Sequence, residues 1–372
     1  MIRIFFLATF TSLFLHLKAN DGVFYAAGNT LIPIKETTIQ MRKEILNLER
    51  RGEWMQVDIY FEFFNPGEEK ELIVGFVTPP AEGDAGDAEM AHPQVKDFMI
   101  MNGDRLLTFK IMRMEQTGFK VDSKLANGYD FVYYFTIRFK KGLNVIRHSY
   151  LYRGGSSVEV KNDFDYRLTT GTGWAGGNIG DFELNINMGD DSYFSVPDAF
   201  GIQSANWTIA GIGRVSPKIN FNPYADENGG ANLRMVFMRK GKLQLRVKNF
   251  KPLKDLSVNI FQLHNEISLW SNGNVKNEFS GLPEIVWADD KAELIKNLSD
   301  QELRLYRNLN YARMGYDFMD INLKKIFQKF NWYLPDPAIK PEHLVEYYID
   351  NNLLKLISEE EKRRKLVPDG QQ

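Results

Sequence analysis

From Val57 to Phe63 apolar and polar side chains alternate, with Val57, Ile59, Phe61 and Phe63 set against Asp58, Tyr60 and Glu62. A period of two puts the apolar set on one face of a strand and the polar set on the other. Asn65-Pro66-Gly67-Glu68 then reads as a turn, residues 72–77 as the partner strand, and Pro79-Pro80 as its end. Residues 81–93, rich in Gly, Ala, Asp and Glu, read as a mobile loop. The alternation then returns. Residues 98–101 and 106–112 flank Asn102-Gly103, a dipeptide suited to a tight hairpin because the central positions of such a turn need positive φ. Tyr129, Phe131, Tyr133, Phe135, Ile137 and Phe139 share one strand face, and Lys140-Lys141-Gly142 turns that strand into a partner over 144–152. Residues 182–186 give a further strand. Residues 231–239 and 242–249 read as a hairpin about Lys240-Gly241-Lys242, and 256–263 as one more strand.

Strands in close succession, joined by turns and without helices between them, predict an antiparallel β-sandwich region, one large or two smaller. After Ala288 the period lengthens to 3.6. Ser299-Asp300-Gln301-Glu302 is a capping box, Leu305, Leu309 and Ala312 supply an apolar stripe, and Gly315 ends the helix as a left-handed cap. Asp320 caps a second helix with Leu323, Ile326, Phe327 and Phe330 on one face, closed by Trp332, Tyr333 and Pro335. Pro341 opens a third, lined by Leu344, Val345, Tyr348 and Ile349, and an amphipathic piece runs on to about Arg364. The expected fold class is mainly β with a C-terminal all-α module. The expected domains are a sandwich over 20–190, a further β region over 191–288 (a second sandwich or a continuation of the first), a helical domain over 298–366 and a tail without fixed structure over 367–372.

The first nineteen residues fit a signal peptide. Arg3 supplies a minimal basic start, residues 4–17 an apolar run, and Leu17-Lys18-Ala19 a small-residue cleavage site. The run is shorter than the roughly 20 apolar residues a spanning helix needs. No later stretch approaches that length, so the mature chain is expected to cross no membrane. The sequence has no cysteine, which removes disulfides, thiol catalysis and lipid attachment at an N-terminal Cys. The expected location is therefore periplasmic or extracellular, and not that of a lipoprotein. Net charge is −2 with no basic stripe, which argues against nucleic acid as a partner.

Arg307-Asn308, Tyr311-Ala312-Arg313-Met314-Gly315-Tyr316, Phe318, Leu323, Phe327 and Trp332-Tyr333-Leu334-Pro335 resemble the YARHG domain, a small bacterial domain presumed extracellular. The resemblance covers about 298–365. Met314 stands where the motif has histidine, the side chain that titrates near neutrality. The resemblance implies a location and a helical module but no reaction. Asp21-Gly22, the Gly28 segment, Ile39-Gln40-Met41, residues 57–77, His148-Ser149-Tyr150 and the Trp174 segment are more loosely similar to exported bacterial proteins of β-sandwich architecture.

Candidate chemistry is sparse. Gly171-Thr172-Gly173-Trp174-Ala175-Gly176 fits G-x-G-x-x-G literally, yet a strand follows it rather than the helix whose N-terminus would meet a pyrophosphate. A glycine-rich loop beside a buried Trp174 is the better account, and no cofactor is expected. The five histidines, at 16, 92, 148, 264 and 343, include no pair with metal-ligand spacing, so no metal is expected. His148 and His264 read as sheet residues with their ring nitrogens satisfied. The acidic clusters Asp163 with Asp165, Asp190-Asp191 and Asp226-Glu227 lack calcium-loop spacing and read as solvated turns. No catalytic residue is assigned. The candidate binding residues are Arg307, Asn308, Tyr311, Arg313, Trp332 and Tyr333. Two Arg beside aromatic rings suit a carboxylate- or sugar-bearing ligand, and the same residues suit a purely structural lock between helices. The expected role is recognition or scaffolding at the cell envelope, with peptidoglycan, a glycan or another envelope protein as partner. The alternative is an envelope hydrolase using carboxylates of the β region.

Overall fold

A computed structural model describes residues 28–29, 32–33, 38–78, 95–113, 116, 131–190, 192–201, 204–221, 231–271, 276–343 and 349–364. The signal peptide, the 81–93 loop, the stripe 344–348 and the C-terminal tail read from the sequence lie outside these. The first strands are β1 (Gly28–Asn29), β2 (Ile32–Pro33), β3 (Gln40–Arg51), β4 (Trp54–Asn65) and β5 (Lys70–Thr78). After them come β6 (Val95–Asn102), β7 (Arg105–Leu106), β8 (Lys110–Arg113), β9 (Phe131–Phe139), β10 (Gly142–Arg153) and β11 (Val160–Arg167). The last are β12 (Ile179–Asn187), β13 (Ser192–Pro197), β14 (Thr208–Val215), β15 (Ile219–Phe221), β16 (Ala231–Phe250) and β17 (Leu256–Phe261).

The molecule is mainly β with helices at its C-terminal end, as the alternation predicts. Its large sheet runs β1-β11-β17-β13-β16-β12-β3-β4-β10-β6-β7, with β14 and β15 also on β16, and a small sheet runs β2-β5-β9-β8. Most pairings are antiparallel, but β12 lies parallel to β3 and β1 parallel to β11, so the large sheet is mixed. Met55, Val57, Ile59, Phe61 and Phe63 all point into the core, as the period of two requires.

Two hairpins expected from local turns are not hairpins. β4 pairs with β3 and β10, whereas β5, the next strand, pairs with β9 in the other sheet. Likewise β9 pairs with β5 and β8, while β10 pairs with β4 and β6. Both turns carry the chain from one sheet to the other. A buried asparagine builds each corner. Asn65 Nδ2 donates to Glu68 O (2.8 Å) and Phe139 O (3.1 Å), while its Oδ1 accepts from Gly67 N (3.0 Å). Asn144 Oδ1 accepts from Lys140 N (2.8 Å), and its Nδ2 donates to Lys140 O (2.8 Å) and Gly142 O (3.1 Å). Strand ends inside a sandwich leave backbone groups that neither ladder reaches, and the two amides satisfy them.

The expected hairpin at Asn102-Gly103 exists for two residue pairs, after which the chain leaves β7 and enters the small sheet as β8. The turn residues are Gly103 and Asp104, and Gly103 has a φ of 60°. The expected hairpin about Gly241 is instead the interior of β16, twenty residues long. Gly241 (φ 110°) faces Gly211 of β14, and a Cβ on Gly241 would lie 2.2 Å from Ala210 O. Glycine there permits two backbones to touch, not the chain to reverse.

Helices begin earlier than the 3.6 period suggests, at α1 (Leu263–Leu269), α2 (Leu282–Trp287) and α3 (Lys291–Lys296). His264 therefore lies in α1, not in a strand, while His148 does lie in β10. Then come α4 (Asp300–Arg307), α5 (Leu309–Met314), α6 (Ile321–Phe327) and α7 (Asn351–Arg363). The capping box at Ser299 and Glu302, the left-handed Gly315 stop and the Asp320 cap are all present. The helices do not close on themselves. Their buried side chains form one apolar cluster with Val160, Tyr193, Leu233, Met235, Phe237 and Phe261 of the sheet.

Replacing Asn65 by Ala strands buried backbone groups at the corner and is expected to cost about 2 kcal/mol. The exposed neighbour Leu143→Ala should change stability by less than about 0.5 kcal/mol. Urea unfolding of the two variants measures the difference, and equal midpoints would show that the corner amide does not hold the sheets together.

Candidate functional site

Arg313, in the last turn of α5, is the junction of helices and sheet. Its guanidinium carbon lies 5.0 Å from the Trp332 ring, 5.4 Å from Phe237, 5.6 Å from Tyr193 and 5.9 Å from Trp270. Its Nη2 is 3.7 Å from Glu266 Oε1, with both side chains 11% exposed. A cation at that depth needs both a counter-charge and polarisable walls. Tyr193 donates from its hydroxyl to Asn331 Oδ1 (2.7 Å), so a second bond spans the same junction. Burial pushes the Tyr193 hydroxyl far above the ordinary tyrosine range, keeping it a donor.

The other candidates are placed as follows. Arg307 Nε lies 2.8 Å from Glu361 Oε2 on α7, and that carboxylate is 3% exposed. Burial pushes the Glu361 carboxyl up, and Arg307 beside it pulls back down. Asn308 sits at the joint between α4 and α5 and donates to Arg304 O (2.7 Å). That joint interrupts the single helix expected from the stripe. Tyr311 is half-buried with its ring 6.3 Å from Tyr316. Trp332 is fully buried and lies parallel to Phe330 at 5.6 Å. The Tyr333 hydroxyl donates to Tyr316 O (2.9 Å). The structure thus joins Arg313 to Trp332 and sends Arg307 to α7. Sequence reasoning missed Tyr193, Phe237, Glu266 and Trp270, which come from strands and a helix far upstream and carry no local signature.

Gly315 is fixed twice over. Its φ is 92°, and a Cβ would lie 2.6 Å from Leu334 O and 2.7 Å from Arg239 Nη2. Beside it opens a cleft of about 390 Å³ between the sheet and the chain after α6, with Ile212, Arg214, Arg239, Leu334, Pro335 and Asp336 in its walls. A second cleft, of about 610 Å³, is lined by β5, β9 and the chain from β7 to the start of β8, and includes Arg105, Phe109, Lys110 and Tyr134.

A separate polar set lies inside the sandwich. Glu44 is fully buried, and its Oε1 accepts from the Tyr166 hydroxyl at 3.5 Å. Its Oε2 has no hydrogen-bond partner among the described residues, nor do the His148 nitrogens or the Tyr150 and Tyr152 hydroxyls. Burial pushes the Glu44 carboxyl up to about 8 and the His148 imidazole down to about 3. At neutral pH both groups are uncharged, as an apolar interior requires. The glycine-rich turn at Thr169–Gly173 covers Glu44, and Trp174 packs at 4.3 Å on Phe63, in line with the loop-and-tryptophan account.

Asp163 and Asp165 are not in a solvated turn. Both lie part-buried in β11, where burial and neighbouring carboxylates raise their pKa values. Asp190 is exposed, while Asp191, Asp226 and Glu227 lie outside the described residues. His264 Nε2 is 2.8 Å from Glu159 Oε2, with the exposed Trp287 ring 5.6 Å away. Among the described residues no three His, Cys, Asp or Glu side chains gather in a way that would hold a metal ion. No helix among them is long and apolar enough to cross a membrane.

Residues 282–362 match the YARHG domain, so the match begins at α2, ahead of the motif read from the sequence. No curated protein matches the chain. Among solved structures, a candidate nutrient-binding protein from Legionella pneumophila is similar over 92% of this chain and 100% of that one, with a TM-score of 0.55 and 19% identity. At that identity the likeness shows a shared fold. Leukotriene A4 hydrolase from Saccharomyces cerevisiae reaches a TM-score of 0.29 at 9% identity, over 69% of this chain and 36% of that one, too remote to bear on fold or function.

Gly315→Ala combines a strained φ with two close approaches, and a loss of about 2 kcal/mol or more is expected in urea unfolding. A loss below about 0.5 kcal/mol would mean that the loop relaxes freely. The Glu44 carboxyl sets a pH dependence. Between its ordinary value of 4.5 and its folded value of about 8, the folded chain keeps a proton that the unfolded chain has released. The Glu44 contribution should therefore fall as pH rises through that range, at ~1.4 kcal/mol per pH unit for the one proton. His148, held down to about 3, contributes with the opposite sign up to its ordinary 6.5, so the window in which Glu44 acts unopposed by it lies between about 6.5 and 8. Melting temperatures of Glu44→Gln measured across the window should show a flatter profile than the parent. Parallel profiles would remove Glu44 as the cause.

Proposed function

We propose that this chain is an exported envelope protein that recognises or scaffolds rather than catalyses, with cell wall, glycan or another envelope protein as its partner. The observation that carries this reading is how the charged groups are used. Arg313 and Arg307 each face a buried carboxylate on another helix, Glu266 of α1 and Glu361 of α7, and so tie the helices to one another. The cleft left beside the motif has apolar and proline walls with Arg214 and Arg239, and Asp336 as its acid. Its side chains bind and orient without offering an acid–base pair. The YARHG match and the basic start followed by an apolar run over 4–17 support export. The fold shared with a candidate nutrient-binding protein supports a binding role.

The hydrolase reading keeps one specific observation, the Asp163 and Asp165 carboxyls held part-buried and raised on β11. One experiment weighs the two. The chain is expressed in a bacterial host, fractionated, and the processed protein is sedimented with purified peptidoglycan sacculi while soluble muropeptides are assayed. Recovery of a shortened chain outside the cytoplasm, retention on sacculi and no muropeptide release are expected. Cytoplasmic retention would overturn export. Release of muropeptides that Asp163→Asn abolishes would replace recognition by hydrolysis.

A further inference from the structure

Among the described residues β14 is an open edge. It hydrogen-bonds to β16 from Thr208 opposite Gln244 to Val215 opposite Val236, and among the described residues it pairs with no other strand. Eight residues of ladder, roughly 27 Å at about 3.4 Å each, are left with outward N–H and C=O groups. One face is open as well: Thr208, Ala210, Ile212 and Arg214 are exposed, Ile212 by 57%, while Ile209 and Val215 on the other face pack against the core between the sheets.

Exposed edges are ordinarily blunted by proline, by charges along the strand, or by a bulge in it. β14 has no proline and one charge, Arg214. The irregularity in the ladder falls on the neighbour, because Ile212 and Gly213 face Lys240 and Met238, leaving Arg239 of β16 as the extra residue. The edge strand itself continues unbroken. Gly211 and Gly241 hold it close to β16, since a Cβ on Gly211 would lie 2.1 Å from Lys240 O. The edge is therefore set in an extended form before anything adds to it.

Charge decides what fits. Arg214 lies next to the last residue of the strand, Lys218 follows it, and Lys240 and Lys242 stand opposite Ile212 and Ala210. Among the described residues no carboxylate pairs with these four, in a chain whose net charge is −2. A second copy of this chain would bring the same cations against themselves. An extended acidic segment would meet them with opposite charge. The cleft of about 390 Å³ adjoins the Arg214 end of the strand and suits one side chain of that segment.

Resting on the recognition reading, we infer that β14 is the docking edge for an extended acidic segment of a partner protein, which adds to the large sheet as a further strand. Backbone hydrogen bonds along the edge supply affinity, and the Arg214, Lys240 and Lys242 side chains select acidic residues at alternate positions.

The test uses the full processed chain and a fluorescent peptide as long as β14, alternating valine and glutamate, read by anisotropy. Three comparison arms are a valine–lysine peptide, the acidic peptide with alternate backbone amides methylated, and the Arg214→Glu chain, whose unchanged melting temperature confirms folding. Saturable binding of the acidic peptide is expected, with a loss of about ten-fold or more in each arm (~1.4 kcal/mol). Equal binding of the lysine peptide would overturn the charge argument, and indifference to methylation would overturn strand addition. A dimer in sedimentation velocity that Arg214→Glu strengthens would assign the edge to a second copy. Sacculus retention with no peptide binding would overturn this inference alone, whereas loss of both would take the recognition reading with it.

Discussion

A strand buried on both faces has to satisfy two apolar cores at once, and β16 is in that position. Val236, Met238, Leu243 and Leu245 belong to the core between the sheets. Leu233, Met235 and Phe237 belong to the core beneath the helices. β12 and β13 run along one side of it and β14 and β15 along the other, so a shift of one residue would exchange the two apolar sets between differently shaped cores and turn Lys242 and Gln244 toward the first of them. Glycine at 241 and the extra residue at 239 absorb the change of direction without breaking the strand.

The same geometry accounts for what the sequence reveals and what it hides. Strand alternation is local, so β4, β9, β10 and β12 are legible from residue pattern alone. Capping chemistry is local too, and Ser299, Gly315 and Asp320 act as their types and spacing imply. Partner choice is not local. Asn65-Pro66-Gly67 and Lys140-Lys141-Gly142 have ordinary turn composition, which suits a hairpin or a passage between sheets equally well. The buried amides of Asn65 and Asn144 mark the passage, and only the tertiary arrangement shows that they are buried. Lys240-Gly241-Lys242 misleads for a related reason, because close backbone contact and chain reversal both call for glycine.

The candidate site was legible in part. The motif names Arg313 and Trp332 and cannot name their sheet partners, Tyr193 and Phe237, which lie more than a hundred residues upstream in one case. An arginine ringed by four aromatics and facing one buried carboxylate resembles a ligand grip when only its helix is visible. With the sheet present, the guanidinium is seen to stack on rings from two strands as well as on Trp270 and Trp332. Interior groups such as Glu44 and His148 are equally silent in sequence, where a charged residue in a strand reads as solvent-facing.

The helices finish a surface that the strands begin. The face made by Tyr193, Leu233, Met235, Phe237 and Phe261 has no cover until the segments after β17 arrive, from α1 to Arg313 and Trp332, while α7 packs on α3 and α4. A chain that leaves a ribosome or a translocation channel from its N-terminus would close the interlayer core first and carry this second face bare until those helical segments emerge. Long-range sheet pairings also form slowly. For this protein the hazardous interval in biogenesis is therefore late, and any holdase that accompanies it has its work on the β13-β16-β17 face rather than on the nascent sandwich.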